Sequence, residues 1–417
     1  MRFIFQRVPY YHQVMKESGL SPDDFQLPED LHKLPLLTKE IISANQPDGL
    51  RARGVKIVRK RRTSGSTGIP TVILRGPATE RRIFALKLRR MFLTGVRGWE
   101  KAVYLPYWGS DASASAALNG PKVGRTIGNL SSVLSRPRDL VAGYRVLPLG
   151  PGNIAVVSSM VVNYRPSILR SRPSYLRRVA KFAKERDPNF TVRKIFTEGE
   201  VLTAGTRKDL QSTFGAEVFD EYGAAEFSGL GFECKSHCGM HLYSDYFAFE
   251  FLASDGLPAA EGERAEIVIT GLVDDAMPLV RYRIGDYVIK EKEELCQCGL
   301  YLPRLRMIEG RTVDGLATAG GEPVPSGAIV DHFETVLGLR DFQLVQEGEH
   351  EFTLKVRGEV NSTLIQSAES FLTELLHADV AVKIERWGDS EMPMKFRPVV
   401  NVRPTAPLTS HPRPVQN

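Results

Sequence analysis

The chain has 417 residues, of which 42% are hydrophobic and 25% are charged, and its formal net charge is +6 at pH 7. These values are ordinary for a globular protein, and the length predicts two or three domains. No stretch is apolar enough to span a bilayer, and the apolar run near the N-terminus is too short for a secretory signal. We therefore expect a cytoplasmic protein without a membrane span.

The basic charge suits a protein that handles anionic nucleotides. The lysines and arginines are dispersed, however, so a solvated basic surface explains the charge as well. No aromatic and basic signature of nucleic-acid binding is present, and we expect no nucleic acid partner. The oligomeric state stays open, and a homodimer is the commonest arrangement among soluble oligomeric proteins.

Strand and helix signals alternate along the first half of the chain, after a helical segment at residues 1–50. Strands are predicted at 71–74, 102–106, 154–158, 194–197 and 217–221, and helices at 78–94 and 175–183. This alternation favours an α/β fold with a mostly parallel sheet. In such sheets ligands bind at the carboxyl ends of the strands.

The pattern changes after residue 240. Strands at 242–252, 265–270 and 287–289 predict a β-rich subdomain, at about 240–308, inside a large N-terminal domain that covers 1–311. Three further strands around a helix at 364–376 predict a small C-terminal α+β domain at 312–403. The Pro-rich tail, 404–417, is expected to be disordered.

The segment RTSGSTGIPTVIL, at 62–74, is the most informative in the chain. It offers backbone N–H groups and hydroxyls with little side-chain bulk, as an anion-binding loop requires. It is not a Walker A loop, because no Gly-Lys-Ser/Thr follows. Taken alone, the alternative is a flexible surface loop.

Four later segments give this loop a context: VFDEYGAAE (218–226), LVRYRIGD (279–286), IEGRTVDGL (308–316) and PMKFRPVV (393–400). Together, in this order, the five segments resemble the motifs of the adenylate-forming, or AMP-binding, superfamily. The branch they resemble is that of phenylacetate–coenzyme A ligase and its capsule-biosynthesis relatives. The resemblance covers nearly the whole chain, and it implies an AMP-forming ligase with a small mobile C-terminal domain.

The resemblance implies a role for each motif in binding ATP and Mg²⁺. The loop residues would hold the β- and γ-phosphates, with Thr67 also acting in catalysis: Ser64, Gly65, Ser66, Thr67 and Gly68. Glu226 would bind Mg²⁺ with the phosphates. Asp286 would accept the ribose hydroxyls, and Arg311 would contact ribose or phosphate. Lys395 would reach the α-phosphate and the carboxylate as the catalytic lysine.

Weaker assignments concern the adenine side of the site. Glu198, Gly199 and Glu200 occupy the place of the family's adenine-side loop, but an ordinary polar turn fits them equally well. Tyr222, flanked by Glu221 and Gly223, would lie beside the adenine or the substrate, and the alternative is a core aromatic. Solvent-facing or turn-forming roles also stay open for Glu226, Asp286, Arg311 and Lys395.

The four cysteines form two close pairs, Cys234/Cys238 and Cys296/Cys298. Without a secretory signal, a metal site or reduced thiols fit better than disulfides. Cys and His are the usual ligands of structural Zn²⁺. The favoured set is the four cysteines, with His237 or His241 as a replacement for one thiolate. The resemblance also suggests a structural zinc here.

The leading functional hypothesis is ATP-dependent activation of a carboxylic acid, followed by acyl transfer to coenzyme A or to an amine. Tyr107, Trp108 and Phe227 favour an aryl or apolar acid, unless they belong to the core. Ala225, Val313 and Met394 depart from the family's residues and leave the second half-reaction open. Two alternatives remain: transfer of AMP to a hydroxyl acceptor, and a non-catalytic nucleotide-binding partner in a biosynthetic pathway.

Overall fold

The computed structural model describes residues 1–46, 48–62, 71–106, 144–150, 153–291, 294–311, 315–320, 323–339, 342–357, 362–386 and 397–402. The chain divides into two compact units, Met1–Glu309 and Gly310–Asn417. None of the helices in the described ranges is both long and apolar enough to cross a membrane. The predicted domain boundaries after residues 311 and 403 stay predictions.

An eleven-stranded mixed sheet organises the first unit, in the order β10-β11-β12-β13-β9-β8-β7-β6-β5-β3-β4. Its strands are β3 (Ala102–Tyr104), β4 (Tyr144–Val146), β5 (Ile168–Ser171), β6 (Lys194–Glu198), β7 (Glu217–Ala224), β8 (Ser228–Glu233), β9 (Met240–Leu242), β10 (Phe247–Leu252), β11 (Arg264–Gly271), β12 (Tyr282–Lys290) and β13 (Arg304–Arg311). A separate hairpin joins β1 (Arg59–Arg62) to β2 (Val72–Arg75).

The α/β fold class is confirmed. Strands β4, β3, β5, β6 and β7 pair in parallel, whereas β8 pairs antiparallel with β7, and antiparallel pairs continue from there. The strands expected in a β-rich subdomain thus extend the same sheet. One predicted strand, 242–252, is two strands, because a turn at Ser244–Tyr246 separates Leu242 from Phe247.

Seven α-helices lie in the described part of the first unit: α1 (Arg2–Arg7), α2 (Pro9–Glu17), α3 (Lys39–Ala44), α4 (Pro77–Leu93), α5 (Ile154–Tyr164), α6 (Pro173–Arg186) and α7 (Ala204–Phe214). The strand predicted at 154–158 is wrong, because the chain forms helix α5 there. A crossover is required because β4 and β5 both pair in parallel with β3.

Two apolar clusters cover the parallel strands on opposite faces. Leu169, Ile195 and Val218 pack with helices α5, α6 and α7. Ile168, Phe196 and Phe219, from alternate positions of the same strands, pack with Met91 of α4. The alternation of side chains along a strand produces these two faces. On the face of the sheet that α4 covers, the polar side chains that follow these apolar positions along each strand therefore lie at the carboxyl ends of the strands.

The N-terminal helices are anchored to the segment before β12. The buried Tyr11 hydroxyl donates to the Pro278 carbonyl at 3.2 Å and accepts from the Val280 N–H at 2.8 Å. Leu37 exchanges backbone hydrogen bonds with Arg281 and Arg283. These contacts join positions that are more than 240 residues apart, and they hold the start of β12 in place.

The second unit contains a four-stranded sheet, β18-β17-β16-β19, and a small hairpin, β14-β15. Its elements are β14 (Leu316–Ala317), β15 (Pro323–Val324), α8 (Ser326–Thr335), β16 (Phe342–Gln346), β17 (Glu351–Val356), α9 (Ser362–Leu376), β18 (Ala381–Arg386) and β19 (Val399–Asn401). Its core packs Phe333, Phe342, Phe352 and Leu372 together.

Candidate active site

The turn between β7 and β8 carries the Tyr-Gly-Ala-Ala-Glu motif, with Tyr222 and Gly223 on β7 and Glu226 in the turn. A register shift between Tyr222 and Gly223 marks a bulge. A Cβ at Gly223 would lie 2.4 Å from the Ser228 backbone oxygen, so this close approach of the two strands needs glycine. Ser228 closes the turn with φ of 67°.

Two buried arginines hold this turn from the side of α4 and β2. The Arg75 Nη2 donates to the Ala225 carbonyl at 2.9 Å, and the Arg82 Nη1 donates to the Phe227 carbonyl at 3.1 Å. The Arg82 Nη2 also donates to Asp274 at 2.7 Å. Burial raises the pKa of Asp274, although the Arg82 charge opposes this rise. These contacts fix the backbone on both sides of Glu226.

Asp286 lies at a bulge in β12. The register with β11 shifts so that Glu266 faces Tyr287 and Val268 faces Arg283. Gly285, with φ of 80°, provides the left-handed conformation at this irregular point. The bulge changes the direction of the Asp286 side chain, which is 5% exposed.

The structure brings two of the sequence motifs into direct contact. The Tyr222 hydroxyl donates a hydrogen bond to Asp286 Oδ2 at 2.7 Å. The Tyr282 hydroxyl, at the other end of the Tyr-Arg-Ile-Gly-Asp segment, donates to Glu226 Oε1 at 3.1 Å. Two tyrosines therefore orient the two carboxylates to which the resemblance assigns ribose and Mg²⁺.

The adenine-side residues lie at the end of β6 and just after it. Glu198, the last residue of β6, pairs in register with Glu221 of β7. Gly199 follows with φ of 74°. Glu200 accepts from the Ser174 N–H at 3.1 Å at the start of α6, and Arg172 lies 3.8 Å away. Burial raises the pKa of Glu200, while Arg172 opposes the rise.

Arginines bridge the paired carboxylates Glu198 and Glu221. The Arg170 Nη2 lies 2.5 Å from Glu198 and 2.6 Å from Glu221. Arg90 of α4 forms an ion pair with Glu221. Burial alone would raise the pKa of Glu198, but the Arg170 charge and hydrogen bonds from Tyr104 and Arg170 outweigh it, so the pKa lies below its ordinary 4.5.

Phe227 belongs to the core and not to an exposed acid pocket. It is 1% exposed and packs against Phe247 and Tyr282, with ring centroids 5.5 Å and 6.0 Å away. Tyr107, Trp108, Ser64–Gly68 and Lys395 lie outside the described residues. Arg311 ends β13, and its side chain is not described.

The cysteines gather between two turns of similar geometry. The His237 N–H donates to the Cys234 carbonyl, and the Gly299 N–H donates to the Cys296 carbonyl. Ligand atoms of Cys234, His241, Cys296 and Cys298 all lie within 4.8 Å of one another. Cys238 Sγ lies 2.9 Å from Cys296 Sγ and 3.2 Å from an Arg304 nitrogen.

Of the two histidines, only His241 is a member of this cluster. Its Nε2 lies 3.4 Å from Cys298 Sγ, and its buried Nδ1 has no hydrogen-bond partner in the described part of the chain. His237 instead places Nδ1 at 3.1 Å from Glu233.

Sequence reasoning missed the residues that orient the site, among them Tyr282, Arg75, Arg82, Arg90 and Arg170. One local signal was present. Arg82, Leu86 and Arg90 are spaced by four residues on α4 and form its buried face, whereas Phe92 is 83% exposed. A stripe of arginines at helical spacing, beside acidic motifs, indicates buried ion pairs.

Comparisons with known proteins agree with the sequence motifs. No protein-family model matches the chain. The phenylacetate–coenzyme A ligase of Thermus thermophilus is 26% identical over 404 residues, which are 92% of this chain and 86% of that protein. The Escherichia coli phenylacetate–coenzyme A ligase is 26% identical over 343 residues, covering 78% of this chain and 72% of that protein.

A solved structure shares the fold. A 2-hydroxyisobutyryl-CoA ligase in a postadenylation state superposes with a TM-score of 0.77 and 22% identity, over 96% of this chain and 87% of that one. Fold and motifs together define an adenylate-forming enzyme architecture. Over most of its length the chain is similar to phenylacetate–coenzyme A ligases, which are adenylate-forming enzymes, and it shares the fold of the solved ligase.

Proposed function

We propose that the protein activates a carboxylic acid with ATP and transfers the acyl group to coenzyme A. A carboxylate oxygen attacks the α-phosphorus of ATP, and the bond to the leaving pyrophosphate breaks, which gives an acyl-adenylate. The coenzyme A sulfur then attacks the acyl carbon, its proton is lost, and AMP leaves. The curated relatives and the solved neighbours, which are named as CoA ligases, support both steps.

The single observation that carries the proposal is the Tyr222–Asp286 hydrogen bond of 2.7 Å beside the Glu226 turn. We assign Asp286 to the ribose hydroxyls and Glu226 to Mg²⁺, because a half-buried carboxylate with one oxygen paired to Tyr282 keeps an oxygen for the cation. Bound Mg²⁺ would neutralise charge on the phosphates. Glu221, Tyr222 and Gly223 would form the adenine-side wall with Glu198 and Gly199.

The remaining catalytic assignments stay proposals that rest on the motifs. Ser64, Gly65, Ser66, Thr67 and Gly68 would hold the β- and γ-phosphates, and Arg311 would contact ribose or phosphate. Lys395 would stabilise the charge that develops at the α-phosphate. Glu200 has a structural alternative, since it caps the start of α6. Cytoplasmic location and a homodimer also stay predictions.

We further propose that the cysteine cluster holds a structural Zn²⁺. Three thiols and one imidazole are a common donor set for tetrahedral zinc. The position of His241 Nε2, 3.4 Å from Cys298 Sγ, and the close approach of the sulfur atoms support such an ion. The ion would join the β8–β9 turn to the segment before β13, and it would take no part in the reaction.

The testing experiment is acid-dependent exchange of labelled pyrophosphate into ATP, followed by addition of acceptors. We expect exchange with at least one carboxylic acid, and an acyl thioester when coenzyme A alone is added. If a product forms only when an amine is added, the second step is amide formation and not thioester formation. Retention of AMP on a hydroxyl product, or binding of ATP without exchange, would overturn acyl activation.

A further inference from the structure

The hairpin β1–β2 carries a run of basic residues at the point where the chain enters the proposed phosphate loop. Strand β1 reads RKRR from Arg59 to Arg62, and Arg62 pairs with Val72, the first residue of β2. The segment between the two strands includes 63–71, TSGSTGIPT, which contains neither Lys nor Arg. Any side-chain cation for the β- and γ-phosphates must therefore come from outside this segment.

The phosphates carry more charge than one divalent cation neutralises. The terminal phosphate of ATP has about two negative charges at neutral pH, and the β-phosphate adds to them. The proposed function assigns Mg²⁺ to Glu226, whose own carboxylate offsets part of the ion's charge, and it assigns Lys395 to the α-phosphate. A further cation at the pyrophosphate end would stabilise the charge that is left.

The alternation of side chains along β1 places two of its arginines on one face. Arg59 and Arg61 share a face of the hairpin with Arg75, the residue that pairs with Arg59 on β2. From this face, Arg75 donates to the Ala225 carbonyl at 2.9 Å, next to Glu226. The face that carries Arg61 is therefore the one that contacts the Glu226 turn.

Arg61 differs from the other two arginines of this face because no carboxylate pairs with it. Arg59 and Arg75 lie 3.2 Å and 3.9 Å from Glu80, whereas Arg61 is exposed and has no ion pair or hydrogen bond within the described residues. Burial, and next the charge of Arg61, lower the pKa of Arg75 to about 10, although Glu80 opposes the shift. The Arg61 charge also opposes the rise that burial causes in the pKa of Tyr104, the last residue of β3. An anion beside Arg61 would relieve its repulsion with Arg75.

Backbone contacts hold the hairpin in place. The Gln46 side chain donates to the Val72 carbonyl at 2.7 Å and accepts from the Val72 N–H at 3.2 Å. At the other end of β2, the Val58 N–H donates to the Arg75 carbonyl at 2.8 Å. Because the strand that carries Arg61 is already ordered, less conformational entropy is lost when its side chain binds an anion.

Resting on the proposed function, we infer that Arg61 binds the β- and γ-phosphates of ATP and then the pyrophosphate that leaves. Its planar guanidinium can donate two parallel N–H bonds to phosphate oxygens. The same contact would stabilise the charge that the pyrophosphate gains as its bond to the α-phosphorus breaks. In this role Arg61 contacts neither the acyl group nor the adenosine.

Three ligands separate this role from a contact with adenosine. Calorimetric titration gives the affinities of wild type and Arg61→Gln for ATP and pyrophosphate, each with Mg²⁺, and for AMP. We expect Arg61→Gln to bind ATP and pyrophosphate about tenfold or more weakly, because a hydrogen bond between charged groups is lost. Its affinity for AMP should not change. In pyrophosphate exchange, KM for pyrophosphate should rise in parallel while KM for the acid stays constant.

Two further variants and a stability measurement control for indirect effects. Lys60→Gln is the matched control, because Lys60 is exposed, has the same charge and lies next to Arg61 on the opposite face of β1. It should keep all three affinities near those of wild type. Arg61→Lys should recover part of the loss, since it keeps the charge but not the two parallel bonds. Urea unfolding checks that the variants are folded.

Equal losses in Arg61→Gln and Lys60→Gln would overturn the inference and make the basic run a solvated surface. The inference also fails if Arg61→Gln binds ATP and pyrophosphate like wild type, if it loses as much affinity for AMP as for ATP, or if only Arg62→Gln shows the loss. In each of these cases, acid-dependent exchange by wild type leaves the proposed function standing. If wild type exchanges pyrophosphate with no acid, while Arg61→Gln still loses only ATP and pyrophosphate binding, the proposed function fails and the anion site stands.

Discussion

At the scale of single residues, the site depends on tyrosines that position carboxylates. Sequence motifs predicted Asp286 and Glu226 as site residues, but their partners Tyr222 and Tyr282 lie 64 and 56 positions away along the chain. Local patterns contain no information on such pairs. Phe227 shows the same limit, since its burial depends on Phe247 from another strand.

Asp286→Asn tests the ribose assignment. The amide accepts hydrogen bonds less strongly than the carboxylate, so we expect a tenfold or larger rise in KM for ATP, as loss of a charged hydrogen bond of about 1.5–3 kcal/mol gives. The preference for ATP over 2′-deoxyATP in pyrophosphate exchange should shrink in parallel. If the variant still prefers ATP over 2′-deoxyATP to the same extent, Asp286 does not bind the ribose hydroxyls.

Because of Asp220, we expect the stability of the folded protein to depend on pH. Burial, together with the nearby Glu233 charge, raises its pKa from 3.8 to about 7, although Thr197 donates to it at 2.6 Å. The folded state thus binds a proton that the unfolded state has lost between these two pH values. Stability should fall as pH rises through this window, by up to about 1.4 kcal/mol per unit.

Asp220→Asn removes this titration and keeps the shape of the side chain. The difference in free energy of unfolding between variant and wild type should move in favour of the variant from pH 5 to pH 8. Urea unfolding at the two pH values measures it. Parallel behaviour of the two proteins would show that Asp220 does not titrate in this range.

At the scale of elements, sequence reasoning located most strands and the long helices but misread α5. Its Val-rich start, IAVVSSMVV, has strong β propensity, yet a parallel connection from β4 to β5 requires a crossover, and tertiary context prevails. The buried face of α4 left only one local signal, the spacing of its arginines, because Arg82 and Arg90 pair with Asp274 and Glu221 from distant segments.

The β7–β8 turn offers a matched pair of glycines. Gly223→Ala would place its Cβ 2.4 Å from a backbone oxygen, whereas a Cβ at Gly229 would meet only a Tyr243 ring carbon at 3.7 Å. We expect Gly223→Ala to cost about 1–3 kcal/mol of stability and to lower activity strongly. Gly229→Ala should change both only slightly. Equal effects in urea unfolding and pyrophosphate exchange would contradict the role of this close approach.

The cysteine cluster is testable in the same way. Metal analysis of the purified protein should give about one Zn²⁺ per chain, the stoichiometry of a single tetrahedral site. Cys298→Ser should lose the ion, since Cys298 lies in the four-residue cluster with His241. Cys238→Ser should retain it if His241 is the fourth ligand. If Cys238→Ser loses the zinc and His241→Ala keeps it, the four cysteines are the ligands and His241 is not.

At the scale of the whole molecule, the proposed function assigns the catalytic lysine to the sequence range of the second unit. Lys395→Ala should lower pyrophosphate exchange on the order of 10²-fold, the usual loss when one electrostatic contact to a transition state is removed. Thioester formation from a preformed acyl-adenylate should fall much less. Lys383→Ala is the control, because Lys383 is a 74% exposed lysine of the same unit. If Lys395→Ala catalyses pyrophosphate exchange as well as wild type, this lysine takes no part in adenylation.

The anchoring of the N-terminal helices has a consequence for synthesis on the ribosome. Tyr11 and Leu37 find their partners at Pro278–Arg283, so these helices cannot complete their contacts until that segment has left the exit tunnel. The nascent chain must therefore keep its first forty residues undocked while more than two hundred others are translated. These helices thus become native only after the segment that they bind has emerged, and the strand that carries Asp286 acquires its support at that moment.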